Sequence, residues 1–479
     1  MGVAMLLALG LLTVLTGLPI WSLLVGVSSL FAALALGAGV AQWEHLGAVT
    51  ARVLGVLDND LLQALPLYVF VGVLLQQLPI GQSLLAVFQR LAWRTGAGEA
   101  LAALGTGALL APMNGSVAAS SALLSRLLGP QLQHLAPSRA MALVATAATI
   151  GVVVPPSLVL LLLGDAMMQA HTQASHWSGW VVAVSHIVNT QDVMHAALLP
   201  ALAIWLSWLA WGLVGYRRRG VVRPACTPRQ WGVALLTILV VLGLLSGVFV
   251  GYFFAVEAAA AGALLLVAYA LLGRVLNATQ WRAVLADSLA LSGALLSLLV
   301  GATVFSMVLR LWGTDVRISE ALLHSGLAPA VAAAAILLAL ALCAWVLDAF
   351  EMIFVVVPVL APPFVYLLQD AQQAAVLLLL VLQLSFLLPP LGYAVMIARA
   401  HQAQPVGSVA LVRALAPFLL VQVLAIGVVF AFPQVVHGMD PPRDETAPLS
   451  DEEITRMMME QAAPDAPEAA PTPQGASRP

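Results

Sequence analysis

Asp348 sits in CAWVLDAFEMIF, a carboxylate inside an otherwise apolar run, with Glu351 one turn later. A charge at mid-membrane depth costs about 2.5–3.5 kcal/mol on insertion scales, so it faces a cavity, a partner or a cation. For Asp348 the competing roles are a helix cap and a buried hydrogen bond. Asn114, in LLAPMNGSVAASS, lies 234 residues earlier, and the same offset carries Pro155-Pro156 of TIGVVVPPSL onto Pro389-Pro390 of LSFLLPPLGY. Asn114, Ser116, Thr149, Asp348 and Ser385 can add oxygens at these places without bulk.

The prolines say why such oxygens would matter. A proline has no backbone N–H and clashes with the preceding turn, so a pair of them breaks a helix. Unwound backbone is tolerated at membrane depth only where protein or a water-filled cavity satisfies it. Freed carbonyls then form an oxygen cage for a small cation, and the half-helix N-terminus beyond offers N–H groups to an anion. Matched breaks in two halves of a chain point to an inverted-repeat secondary transporter with its site between the breaks.

Composition agrees: 62% hydrophobic and 9% charged residues, with mean hydropathy +1.00, against roughly 25% charged in soluble domains. This is an integral membrane protein, with the lipid bilayer as its surroundings and no nucleic-acid partner expected. Residues 440–479 hold nine of the 22 acids and three of the 19 basic residues, all arginine, and read as a disordered tail. The run YRRRGVVRPACTPRQ at 216–230 is expected on the cytoplasmic side. The apolar N-terminus lacks a positive n-region and reads as a retained membrane segment. His171, His176, His186 and His195 lack the spacing that puts two imidazoles on one helical face, and Cys226 and Cys343 suggest neither bridge nor metal. Glu257 is expected to head a helix, whereas Asp165 either lines a path or marks a helix end.

The chain resembles the large membrane subunit of tripartite ATP-independent periplasmic (TRAP) transporters. The resemblance spans about residues 1–438 and rests on GLPIWSLLVGVSSL, ALLAPMNGSVAASSALL, ATIGVVVPPSLVLLLLGD, EAAAAGALL, LDAFEMIFVVVPVLAPPF and QLSFLLPPLGYAVMIARA, in that order. VLDAFEMIF and LQLSFLLPPLGYA are closer to the lactate, 2-oxo acid and mannitol or chloroaromatic branch than to the sialic acid branch.

The resemblance implies a sodium-coupled importer of an organic anion in the bacterial inner membrane, working by an elevator motion. Its partners would be a separate small four-helix membrane subunit, since no four-helix block precedes this chain, and a periplasmic substrate-binding protein. Sodium ions would be the coupling ions, with no other cofactor. Carried over, the first sodium site is Asn114, Gly115, Ser116, Gly151 and Pro155, and the second is Asp348, Ser385, Leu388 and Gly392. Pro112-Met113-Asn114 replaces part of the family's Ser/Thr-Gly-rich tip, and Leu388 stands where a threonine is common.

The fold class is therefore an all-α polytopic membrane protein of inverted-repeat ion-transporter type, with two re-entrant hairpins and two discontinuous helices. We expect scaffold helices over 1–95 and a first transport repeat over 96–215, with hairpin 98–128 and broken helix 138–170. An Arg-rich loop at 216–230 and scaffold helices over 231–327 follow. The second repeat covers 328–438, with hairpin 328–368 and broken helix 372–400, before a tail at 439–479. A stand-alone sodium- or proton-coupled carrier is the alternative. An intramembrane enzyme is remote, because no HExxH or GxSxG occurs and Ser116 has no histidine in its segment. Arg310 and Arg399, near segment ends, are the candidate anion partners.

Overall fold

The computed structural model describes residues 1–58, 60–114, 116–155, 157–177, 180, 189–217, 224–323, 326–345, 347–390, 392–401 and 405–439. Gly115, His186, the center of the Arg-rich loop and the acidic tail lie outside the described residues, as does the side chain of Asn114. Among the described residues every regular element is helical.

The chain opens with α1 (Gly2–Thr16), α2 (Ile20–Gly37) and α3 (Trp43–Leu57), then α4 (Asp60–Gln77) and α5 (Ile80–Ala92), the last two bent by 66°. Next come α6 (Gly98–Leu110), α7 (Val117–Leu128), α8 (Pro137–Val153), α9 (Leu158–Ser175) and α10 (Thr190–Gly215). After α11 (Pro228–Val250) and α12 (Ala255–Leu272) the pattern returns: α13 (Ala278–Leu311), α14 (Thr314–Leu323) and α15 (Pro329–Ala344). Then α16 (Ala349–Glu351) passes through a π turn (Met352–Val356) into α17 (Val357–Leu368). The chain closes with α18 (Ala371–Leu387), α19 (Tyr393–Ala400) and α20 (Ser408–Ala431).

The 234-residue offset runs through whole elements. α5 and α14 begin 234 residues apart, α4 and α13 end 234 apart, and α8 and α18 begin and end 234 apart. The offset thus reaches back before residue 96, where sequence reading began the first repeat. α5 and α14 are amphipathic rather than continuously apolar, so hydropathy did not single them out.

Local chemistry sets the helix ends. Gly17, at φ 63°, closes α1 in the left-handed region that favours glycine. Val154 and Leu388 each precede a proline and turn extended, at ψ 117° and 110°, which ends α8 and α18. Ser157 restarts the chain as α9 by accepting from Leu160 N–H at 3.1 Å. Capping boxes start α10 (Asn189/Asp192), α11 (Thr227/Gln230) and α13 (Asn277/Gln280). Glu257 accepts from Phe254 N–H at 2.9 Å and heads α12, as its sequence position implied.

Among the described residues six helices are long and apolar enough to cross a membrane, or up to eight if each bent pair is one span. α6 and α7, of 13 and 12 residues, are not among them: at 1.5 Å per residue they reach about 20 and 18 Å, short of a hydrocarbon core of about 30 Å. Leu235, Leu239, Leu264 and Leu420 are exposed and form a lipid-facing surface. The center is α8 and α18, buried nearly throughout. Across it Gln422 Nε2 donates to Gln383 Oε1 at 2.8 Å and Gln383 Nε2 donates to the Thr149 carbonyl at 3.3 Å. Trp208 Nε1 donates to the Phe418 carbonyl at 3.1 Å and ties α10 to α20.

Candidate functional site

In the first half the segment joining α6 to α7 lies against the end of α8 at backbone distance. A Cβ on Gly151 would stand 2.4 Å from the Ala111 carbonyl carbon and 2.7 Å from Pro112 N, and one on Gly107 would stand 2.5 Å from the Ala147 oxygen. Only glycine permits either approach. Gly151 is therefore beside the loop that carries Asn114 and Gly115. Ser116 is the N-cap of α7 with extended backbone, and its side chain does not cap the helix. Pro155 is buried and has no N–H to offer the Gly151 carbonyl, so that oxygen loses its helix donor. Of the first predicted set, Gly151 and Pro155 thus lie at the break itself, against Ala111 and Pro112 of the loop that leads to Asn114.

The second half shows the same device with different parts. Trp345 Nε1 donates to the Leu388 carbonyl at 2.9 Å, which pins the end of α15 to the end of α18. A Cβ on Gly392 would stand 2.6 Å from the Phe386 oxygen and 2.7 Å from the Leu388 oxygen. Pro390 carries no N–H for the Phe386 carbonyl. Ser385 is buried and its Oγ donates to the Val381 carbonyl at 2.8 Å. The Leu388 carbonyl also accepts from Gly392 N–H at 2.8 Å. With two donors already on it, this oxygen must release one before it can hold an ion.

Asp348 is the N-cap of α16, and Glu351 accepts from its N–H at 2.9 Å. Asp348 thus stands at the helix-cap position that was one of the roles weighed from sequence. Its Oδ1 is buried and has no donor among the described residues. Trp345, hydrogen-bonded to the Leu388 carbonyl, is only three residues before Asp348, so the carboxylates lie near the second break. A buried carboxylate oxygen without a donor is stabilised by a cation.

Beyond the breaks, a cavity of about 140 Å³ lies between α9, α13 and the helix from α16 to α17. Asp165, Gln169 and Gln173 line it from α9, and Thr303, Ser306 and Arg310 from α13. Asp165 lies inside α9 rather than at its end and lines this cavity, and Arg310 reaches the same space. Gln169 Nε2 donates to Asp165 Oδ2 at 3.0 Å. The opposite wall is Phe354, Pro358 and Pro362, where each proline removes the donor for the carbonyl four residues back. Sequence reading passed over Gln169, Gln173, Thr303 and Ser306. Their signal was present as polar stripes every three to four residues on otherwise apolar helices. Arg52, which reaches the cavity from α3, left no such signal. Arg399 lies elsewhere, on α19, which packs against α7 and α8.

Lipid-facing helices, a doubled architecture and two interrupted helices with small residues at the breaks define a multi-pass membrane transporter. Residues 5–435 match the family described as tripartite ATP-independent periplasmic transporter, DctM component, and the chain belongs to that family of large permease subunits. It is 23% identical over 447 residues to the sialic acid TRAP transporter permease protein SiaT of Haemophilus influenzae, covering 89% of this chain and 68% of that protein. Another Haemophilus influenzae protein, described as a TRAP transporter large permease, is 21% identical over 390 residues, covering 79% of this chain and 91% of its own length. The fold is shared with the YdaH transporter of Alcanivorax borkumensis at a TM-score of 0.55 and 15% identity, covering 87% of this chain and 98% of that one.

Proposed function

We propose that this chain is the large subunit of a binding-protein-dependent importer that carries an organic anion with sodium ions across the bacterial inner membrane. The observation that carries the reading is Asp348 Oδ1, buried without a donor among the described residues, beside a break where Pro390 offers the Phe386 carbonyl no helix donor. The Gly151 carbonyl, whose donor position four residues on is likewise a proline, supports a second cation site at the first break. The short helices α6 and α7 suit a re-entrant hairpin, and α15 to α17 its counterpart. Arg217 and Arg229 support a cytoplasmic link between α10 and α11, and with it a periplasmic position for the cavity of Arg310 and Asp165. There Arg310 and the amides of Gln169 and Gln173 meet the anion. An acid as cargo is supported by the sialic acid in the name of a relative. Movement of the broken helices and hairpins against the remaining helices, as an elevator, then carries ions and anion together.

The test is uptake into vesicles that contain this chain and its small four-helix membrane subunit, with the periplasmic binding protein added outside. Uptake is expected only with the binding protein and an inward sodium gradient. Uptake by the purified chain alone would replace the reading with a stand-alone carrier, and uptake indifferent to sodium would remove the coupling ion.

A further inference from the structure

Arg399 carries a feature that neither break explains. Its Nε and Nη2 are buried and have no acceptor among the described residues. A guanidinium stays protonated, so a buried one without acceptors is unfavourable unless an anion completes it. Nε and Nη2 form one edge of the guanidinium fork, the edge whose two parallel N–H groups fit the two oxygens of one carboxylate.

The surroundings offer further donors. α19 packs against α7 and α8, and on those helices the buried hydroxyls of Ser121, Ser125 and Thr146 also have no partner among the described residues. Arg399 lies seven residues beyond Gly392, and Thr146 seven residues before Val153, each about 10 Å from its break. Ser121 and Ser125 lie four and eight residues beyond Val117 on α7, whose leading loop is held at the break by Gly151.

The repeat adds an independent argument. Arg399 is 234 residues after Asp165, so the position that lines the open cavity in one half carries a half-buried arginine in the other. The geometry points to Arg399 as a carboxylate-binding residue in the cytoplasmic half, taking the transported anion by its Nε–Nη2 edge, with Ser121, Ser125 and Thr146 as additional donors. This rests on the reading of the cargo as an organic anion.

The experiment is thermal unfolding of the full chain in detergent at constant sodium, with acetate, acetamide or chloride as probe. Acetate raises the midpoint of the wild-type chain, whereas acetamide, of the same shape without charge, does not. The shift is lost in Arg399→Met and reduced in Arg399→Lys, which keeps the charge but not the fork. In reconstituted vesicles Arg399→Met also lowers uptake at least about tenfold, as when a buried charge pair loses one partner. An acetate shift that survives in Arg399→Met, or wild-type uptake by that variant, overturns the assignment. Protection by phosphatidylglycerol and not by acetate also overturns it, in favour of a bound lipid headgroup. These midpoints are read without transport, so a failure here leaves the sodium- and binding-protein dependence of uptake to be judged by itself.

Discussion

Gln383 Nε2 donates to the Thr149 carbonyl at 3.3 Å, and the two residues are 234 positions apart, the interval that relates the two halves. In a two-fold arrangement a residue and its mate lie at equal distances from the axis, so they touch only where the axis passes between them. α8 and α18 therefore meet at equivalent positions of the two halves, four residues before each helix ends. Thr149 and Gln383 differ in type, and so the contact is asymmetric in chemistry though symmetric in place.

Gln383→Leu is expected to destabilise the chain by about 1–3 kcal/mol. It leaves the buried Thr149 carbonyl without this donor and removes the acceptor for Gln422 Nε2. Thermal unfolding in detergent measures it. A variant as stable as wild type would mean that water or a rearranged Gln422 replaces both bonds.

Gly151→Ala and Gly392→Ala are each expected to cost about 1–3 kcal/mol, because the new methyl meets backbone rather than a movable side chain. Gly293→Ala is the matched control: it lies in α13 with nothing within 4 Å of the added carbon. It is expected to be neutral or stabilising by about 0.5–1 kcal/mol. Equal behaviour of the three variants would show that the close approach at the breaks carries no constraint.

Asp348→Asn is expected to raise the sodium concentration for half-maximal uptake about tenfold or more, corresponding to ~1.4 kcal/mol per decade. Sodium should also lose its stabilising effect on unfolding in this variant. Unchanged uptake at every sodium concentration would remove Asp348 from the ion site and leave it the cap of α16.

Trp345→Phe keeps the ring packing but takes one of the two donors from the Leu388 carbonyl. The expected loss of stability is about 0.5–1.5 kcal/mol. If Leu388 is an ion ligand, the freed oxygen binds sodium more tightly and half-saturation falls. A variant with lower stability and unchanged sodium dependence assigns that carbonyl a structural role alone.

Much of the site was legible before folding because its causes are covalent. Proline carries no N–H wherever it is placed, so Pro155, Pro156, Pro389 and Pro390 announce breaks by type and position alone. The offset shared with Asn114 and Asp348 announced the duplication, and the uneven charge separated the acidic tail from the membrane helices. What a linear chain does not encode visibly is which groups end up satisfied. That Leu388 already holds two hydrogen bonds, that Asp348 Oδ1 holds none among the described residues and that Gly151 touches Ala111 depend on elements far apart in sequence meeting at backbone distance. The cavity of Asp165 and Arg310, and the lone edge of Arg399, arise likewise, because burial and hydrogen-bond partners belong to packing, and packing is decided only when the two halves close on each other.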